Sequence, residues 1–207
     1  MGVTVLLIRH GAIDALGIRI AGRSPGEHLN EVGRKQATCL AEHLKDAPMR
    51  KILTSPLERA RETAQAIASR TGVEMVIETN ANELDYGAWT GKQFVELNEL
   101  PEWHAFNAQR ARAVIPGGET MQQLCMRAQS VLDDVSQSAD GDVVAIVSHA
   151  DWIRAAFASQ FQLSLDDVKH FEVSPASITV LLLANHQSKL LQWNIAAETK
   201  EPITLPS

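Results

Sequence analysis

Short apolar segments that run straight into polar or cationic side chains constrain the fold of this chain more than any other feature. Runs of about four to eight residues rich in Val, Ile and Leu are typical of strands buried inside a sheet. The runs and the residues that follow them are VTVLLI (3–8) with Arg9 and His10, KILT (51–54) with Ser55 and then Arg59, and DVVAIV (142–147) with Ser148 and His149. This layout predicts reactive side chains at the ends of several strands.

Segments with helical periodicity separate these runs. The predicted helices span Asn30 to about Asp46, Ser55 to about Arg70, Glu119 to about Gln137, and about Asp151 to Gln160. Ser55 is predicted to cap the second helix, with Pro56 at its first position and Glu58 completing a capping box. Further strands are predicted at 73–77, 177–184 and 190–195, with a turn near 185–188. The alternation predicts an α/β three-layer sandwich, a mostly parallel central sheet flanked by helices.

The segment at about 84–118 departs from this alternation. It has no strand pattern, and we predict a small inserted helical lobe over the sheet. Tyr86 and Trp89 are predicted to lie in the core of the lobe, with a place at the mouth of the pocket as the alternative. No Gly/Ser-rich linker borders the segment. A length of 207 residues suits one α/β domain with such an insertion, so 1–207 is predicted to be a single domain.

Charge and cysteine usage exclude several classes of function. The net charge is −6 with no basic block, so neither nucleic acid nor a membrane is an expected partner. Cys39 and Cys125 lie on apolar faces of predicted helices and are expected to be buried thiols. No Cys or His spacing typical of a metal site occurs, and no cofactor is predicted. No signal peptide is recognisable, so a cytoplasmic location is expected, and a homodimer is left open.

The polar residues at the strand ends predict a binding site for a phosphoryl group. Ligands of parallel α/β sheets bind beyond the carboxyl ends of the strands, so two His and two Arg are expected to converge there. Helix N-termini add N–H donors, and a planar guanidinium can hold two phosphoryl oxygens at once. Without a metal, a neutral His can act as the nucleophile. Glu83 can supply the proton for the leaving group, although it can also simply accept a backbone amide.

Six motifs, in order along nearly the whole chain, resemble those of the histidine phosphatase superfamily, in its phosphoglycerate mutase-like branch. They are LIRHG (7–11), LNEVGRKQA (29–37), SPLERARETA (55–64), ELDYGAWTG (83–91), PGGET (116–120) and VSHADWIRA (147–155). This resemblance implies that His10 is the nucleophile that becomes phosphorylated and that Glu83 is the acid and base. It implies that the phosphoryl group is bound, and its transition state stabilised, by His149, Arg9 and Arg59. It also implies that the substrate is contacted by Arg23, Gly22 and the N–H of Ala150.

Two positions depart from the family pattern RHGxTxxN. Ile13 and Leu16 stand where the family has Thr and Asn, and with Ile18 and Ile20 they predict a loop that packs down as an apolar wall. Arg59 has an alternative interpretation as a surface residue paired with a neighbouring Glu. The remaining histidines are predicted to be structural or solvated; they are His28, His43, His104, His170 and His186.

Three functions are compatible with these residues. The first is a metal-independent phosphatase that hydrolyses a small phosphorylated metabolite through a phosphohistidine. The second is a cofactor-dependent phosphoglycerate mutase, which passes the phosphoryl group to a second hydroxyl. The third is a non-catalytic phosphate-binding module, which the departures at Ile13 and Leu16 keep open. The short middle segment favours the phosphatase, because family mutases tend to carry longer insertions that exclude water.

Overall fold

A computed structural model describes residues 2–184, 187–196, 198–199 and 202–205. Within these residues, six strands form one sheet in the order β3-β2-β4-β1-β5-β6. The strands are β1 (Val3–Arg9), β2 (Met49–Thr54), β3 (Met75–Ile77), β4 (Val143–Ser148), β5 (Ser177–Ala184) and β6 (Gln187–Ala196). The first four are parallel to one another, whereas β5 runs antiparallel to β1 and to β6. The predicted mostly parallel sheet is therefore confirmed, although part of the turn predicted near 185–188 lies outside the described residues.

Helices cover both faces of the sheet. They are α1 (Glu31–His43), α2 (Glu58–Thr71), α3 (Phe94–Leu97), α4 (Pro101–Ala108), α5 (Met121–Ser136) and α6 (Ala150–Phe161). The alternation of side chains along β1 divides the core: Leu6 and Ile8 pack with α1 and α2, and Val5 and Leu7 pack with α5 and α6. Nothing among the described helices has the length and apolar character needed to cross a membrane.

Two local predictions about the helices are wrong. The second helix, α2, begins at Glu58 with Leu57 as its N-cap, and no side chain caps it, because the Ser55 hydroxyl is bonded elsewhere. Cys39 is exposed on α1, while Cys125 is partly buried, so only the latter approaches the expected burial. By contrast, Asn30 caps α1 by accepting the Gly33 N–H at 2.9 Å, at the predicted start of that helix.

The inserted lobe is helical, as predicted, and an aromatic cluster forms its core. The rings of Trp89, Trp103 and Phe106 lie 5.4–5.9 Å apart, and Tyr86 packs at the edge of Phe106. Aromatic pairs at such distances stabilise a core beyond the area that they bury. Tyr86 and Trp89 therefore serve the lobe core, as the sequence predicts.

The predicted apolar wall in the loop after β1 is only partly present. Ile13 and Ile20 are buried, but Leu16 and Ile18 are 44% and 58% exposed. The loop is held by its backbone: Ile18 and Ile20 exchange hydrogen bonds with residues 91–94 of the lobe. These backbone bonds fix the loop without the burial of every aliphatic side chain. The prediction of an apolar wall is therefore wrong for Leu16 and Ile18.

Gly33 in the first turn of α1 lies against the backbone that follows His10. A Cβ at this position would overlap the Ala12 carbonyl and sit 2.8 Å from the Ala12 nitrogen. Alanine is the better helix former by about 1 kcal/mol, yet we expect Gly33→Ala to lower the free energy of unfolding by about 1–3 kcal/mol, because the backbone must shift. Urea unfolding measures this, with Thr38→Ala on the exposed face of α1 as a control expected within about 0.5 kcal/mol of the parent. A Gly33→Ala protein as stable as the parent would contradict the close approach.

Candidate active site

The carboxyl ends of β1, β2 and β4 bring the predicted site residues together. Arg9 pairs with Ser148 in the register of β1 and β4, and the His10 N–H donates to the Ser148 carbonyl at 3.0 Å. His10 and His149 directly follow these two strands, and both are buried. Their ring centroids lie 5.1 Å apart in an edge-to-face arrangement. The predicted convergence of two imidazoles is therefore present in the structure.

His10 is held as a neutral imidazole with a defined orientation. Its Nδ1 lies 2.7 Å from the Gly11 carbonyl, which can only accept, so Nδ1 carries the proton. Its Nε2 accepts the Nε–H of Arg59 at 3.2 Å. Burial, and then the charges of Arg59 and Arg9, hold the pKa of His10 well below 6.5. Nε2 is therefore unprotonated at neutral pH, and its lone pair is engaged by the Arg59 N–H.

Arg59 lies on the first turn of α2 and is buried, so its interpretation as a surface residue is wrong. Its Nη2 donates to the carbonyl of Gly22 at 2.7 Å. Gly22 thus contacts the site through Arg59, and its φ of 51° is a left-handed conformation that glycine adopts readily. The guanidinium is held by the loop after β1 on one side and by His10 on another.

Arg9, at the end of β1, is held by a segment that lies much later in the chain. Its Nη1 donates to the Val173 carbonyl at 2.6 Å, in the segment that precedes β5. The Ala176 N–H donates to the His10 carbonyl at 3.1 Å, so the same segment also ties down the nucleophile candidate. Burial lowers the pKa of Arg9 and of Arg59, but a guanidinium remains protonated under ordinary conditions.

Three buried polar atoms of this cluster have no hydrogen-bond partner among the described residues. They are Arg9 Nε, Arg59 Nη1 and His149 Nδ1. An unmet buried polar atom costs about 1–3 kcal/mol, and such atoms concentrate at functional sites. Two cationic donors and an imidazole nitrogen fit an oxyanion ligand such as a phosphoryl group.

Glu83 is buried in the segment that leads into the lobe. Its Oε1 accepts the Leu84 N–H at 2.8 Å, so the amide-acceptor interpretation is correct as a contact. Burial, and then the charge of Asp151, nevertheless raise the pKa of Glu83 above 4.5. A carboxyl group with a raised pKa retains its proton closer to neutral pH, as a general acid must.

Two arginines hold the backbone of Glu83. Its carbonyl accepts Arg23 Nε at 2.8 Å and Arg127 Nη2 at 2.9 Å, and both arginines also pair with Glu119. Arg23, a predicted substrate contact, therefore touches the acid candidate directly, while about a third of its side chain is exposed. Ala150 is the first residue of α6, where N–H groups lack an acceptor within the helix.

Asp151 is a buried carboxylate that the sequence analysis missed. Its Oδ1 accepts Arg110 at 3.0 Å and Arg154 at 3.1 Å, and its Oδ2 accepts the Tyr86 hydroxyl. Although burial alone would raise the pKa of Asp151, the two guanidiniums hold it below its usual range. The signals in the sequence are its place two residues after His149 and its position inside the motif VSHADWIRA. The contact joins the lobe to the first turn of α6.

Three of the other histidines are exposed, as predicted for solvated residues: His28 beside Glu62, His104 at the Asn98 carbonyl, and His170. His43 is half-buried on α1, and its Nδ1 has no hydrogen-bond partner among the described residues. His186 lies outside the described residues. In the part of the chain that the structure covers, no group of three or more His, Cys, Asp and Glu side chains is placed to hold a metal ion.

Known proteins resemble this chain in sequence and in structure. Phosphoserine phosphatase 1 of Hydrogenobacter thermophilus is 28% identical over 204 residues, covering 96% of this chain and 95% of that protein. The metal-independent phosphoserine phosphatase of Arabidopsis thaliana is 34% identical over 197 residues, covering 92% and 80%. A mycobacterial glucosyl-3-phosphoglycerate phosphatase has a solved structure with a TM-score of 0.84 and 26% identity, covering 93% and 99%. Curated relatives also include proteins named as phosphoglycerate mutases or mutase-like.

The family model for branch 1 of the histidine phosphatase superfamily matches residues 5–196, from β1 to the end of β6. The match includes all the strand ends that form the histidine and arginine cluster. The chain therefore belongs to the histidine phosphatase superfamily, branch 1.

Proposed function

We propose that this protein is a metal-independent phosphatase that hydrolyses a small phosphomonoester through a phosphohistidine on His10. The observation that carries the proposal is the state of the His10 ring. Nδ1–H is bonded to the Gly11 carbonyl, and the unprotonated Nε2 accepts a hydrogen bond from Arg59, which it gives up when it attacks phosphorus. A neutral imidazole next to a cation that attracts the phosphoryl oxygens is an activated nucleophile.

The first step forms a bond between His10 Nε2 and phosphorus and breaks the bond between phosphorus and the ester oxygen. Arg9, Arg59 and His149 offer unpartnered buried atoms, which would bind the phosphoryl oxygens and stabilise the charge of the transition state. Glu83 gives its proton to the leaving oxygen, so an alcohol departs. The products of this step are the alcohol, phospho-His10 and a Glu83 carboxylate.

The second step returns the protein to its starting state. The Glu83 carboxylate takes a proton from a water molecule as the water oxygen attacks phosphorus. The bond between phosphorus and His10 Nε2 breaks, and inorganic phosphate leaves. Glu83 is then protonated again and the His10 lone pair is restored, so atoms and protons balance over the cycle.

The remaining predicted site residues have supporting roles in this proposal. The Ala150 N–H adds a donor to the phosphoryl group from the start of α6. Gly22 orients Arg59 through its carbonyl. Arg23 contacts the substrate beyond the phosphoryl group, which its partial exposure and its long 3.4 Å contact with Asp85 support.

A mutase that passes the phosphoryl group to a second hydroxyl is the alternative, because it would use the same residues. We expect phosphate release from phosphoserine, glucosyl-3-phosphoglycerate or another small monoester to continue in EDTA, which removes divalent metals. 3-Phosphoglycerate with catalytic 2,3-bisphosphoglycerate tests the mutase directly. A protein that releases no phosphate from any ester at acidic to neutral pH, or that isomerises phosphoglycerate faster than it hydrolyses any ester, would contradict the phosphatase.

We also propose the properties that the sequence predicts for the molecule as a whole. They are a single domain over 1–207, a small phosphorylated metabolite as the substrate, a cytoplasmic location and no nucleic-acid partner, with a homodimer left open. The absence of a basic block supports the exclusion of nucleic acid.

A further inference from the structure

Ser55 makes a buried contact that the steps above do not use. Its Oγ lies 2.7 Å from His149 Nε2, and both side chains are fully buried. The Ser55 oxygen also accepts the Leu57 N–H at 3.4 Å. A hydroxyl oxygen has two lone pairs and one proton, so this contact fits either a Ser55 proton donated to Nε2 or an Nε2–H donated to Oγ, depending on the tautomer of His149.

The backbone around Ser55 fixes this contact. The Ser55 N–H donates to the Val147 carbonyl at 3.0 Å, which ties Ser55 to β4 just ahead of His149. In this position the hydroxyl is bonded to His149, and α2 begins at Glu58 without a side-chain cap. A residue type that commonly caps helices is thus used for a contact between two strand ends.

The contact decides which nitrogen of His149 carries a proton. A neutral imidazole has one N–H, and the bond made at one nitrogen determines the state of the other. Burial, and then the charge of Arg59, hold the pKa of His149 well below 6.5, so the free protein has the neutral ring. With Nε2 accepting from Ser55, the proton lies on Nδ1, which is buried and has no partner among the described residues.

We propose that Ser55 is a positioning residue whose hydroxyl donates to His149 Nε2 and so keeps the His149 proton on Nδ1, where a phosphoryl oxygen can accept it. The inference rests on the proposed function for its ligand, but the tautomer is a property of the free protein. In the other tautomer, a nitrogen lone pair would face the phosphoryl oxygens and repel them. Ser55 therefore acts on the reaction through His149.

Nitrogen-15 NMR of the histidine rings tests the tautomer directly, with His149→Gln used to assign the signals. In the unmodified protein at neutral pH, we expect Nδ1 of His149 to be protonated and Nε2 to be unprotonated. In Ser55→Ala, the Nε2–H form is expected to appear. Protonated Nε2 in the unmodified protein, or no change in Ser55→Ala, would overturn the inference.

Kinetics give a second readout with a matched control. Ser55→Ala is expected to lower kcat about 2- to 10-fold, because the oriented donor to the transition state is lost in roughly half to nine-tenths of the molecules. Thr54→Val removes a neighbouring buried hydroxyl, which bonds to the Ser55 carbonyl, and should keep the parental tautomer and rate. If the unmodified protein holds the Nδ1–H tautomer but hydrolyses no ester, the proposed function fails and the link between Ser55 and His149 stands.

Discussion

Replacing His10 with alanine should lower kcat for any phosphomonoester by at least about 10⁴-fold, because the variant has no atom to form the bond to phosphorus. The same variant should not acquire acid-labile phosphate when it is mixed with labelled substrate and quenched. The two measurements are independent, since one follows the product and the other follows the covalent intermediate. Their joint loss identifies the nucleophile.

His104→Ala is the matched control for this experiment. His104 is an exposed histidine of α4 that contacts the Asn98 carbonyl, so its removal should change neither turnover nor labelling. Thermal unfolding of both variants establishes that they are folded. If His10→Ala keeps more than about a hundredth of the parental kcat, or still forms an acid-labile phosphoprotein, another residue carries the phosphoryl group.

Glu83→Gln should separate the two halves of the reaction. With an alkyl phosphomonoester, whose leaving oxygen must be protonated, we expect a fall of about 10²- to 10⁴-fold in the first step. With para-nitrophenyl phosphate the leaving group departs without a proton, so a burst of nitrophenol close to one equivalent per protein should occur at nearly the parental rate. Steady-state turnover should then be slow, because no carboxylate activates the water, and phospho-His10 should accumulate.

The pH dependence provides a further check on Glu83. Its raised pKa keeps it protonated to higher pH than an ordinary glutamic acid, and the first step should slow as pH rises through that value. The depressed pKa of His10 places the loss of nucleophile at lower pH than for an ordinary imidazole. Glu83→Gln should abolish the alkaline limb for alkyl esters and leave the acid limb. Glu102→Gln, at an exposed residue of the lobe, is the control.

The burst experiment gives the outcome that would contradict the role of Glu83 as the acid. That outcome is a burst from para-nitrophenyl phosphate and a hydrolysis of the alkyl ester that are slowed equally in Glu83→Gln.

Most of the sheet was predictable because it depends on local patterns. The apolar runs indicate where the strands lie. The helical segments between them predict that successive strands are parallel, as the first four strands are, with helices on both faces of the sheet. The direction of β5 was not predictable, since an apolar run such as 177–184 has the same appearance in either direction. Leu16 and Ile18 were misjudged because hydrophobicity was assumed to imply burial, whereas backbone bonds to the lobe hold that loop.

In the site too, residues that belong to a local pattern are predictable, whereas contacts between residues far apart in the chain are not. His10, Arg59 and His149 were found because each follows a strand and stands in a family motif. Ser55 was assigned to a helix cap, since a capping pattern is visible locally and a partner 94 positions away is not. Asp151 was missed for a related reason: a carboxylate in a first helical turn is ordinary, and its partners in the lobe lie 41 and 65 positions away.

The order of the strands has a consequence for how the molecule is made. β1 is synthesised first, yet it is the strand to which β4 and β5 attach: Thr4 pairs with Val143, and Val5 pairs with Leu181. Its apolar side chains have no neighbours in the sheet until the ribosome has synthesised residues 143–148 of β4. Pairings over such separations form slowly, and unpaired apolar edges are prone to aggregation until they are covered. The partner of Arg9 is likewise synthesised much later, so the Arg9 guanidinium gains its bond to the Val173 carbonyl only after residue 173 has been made.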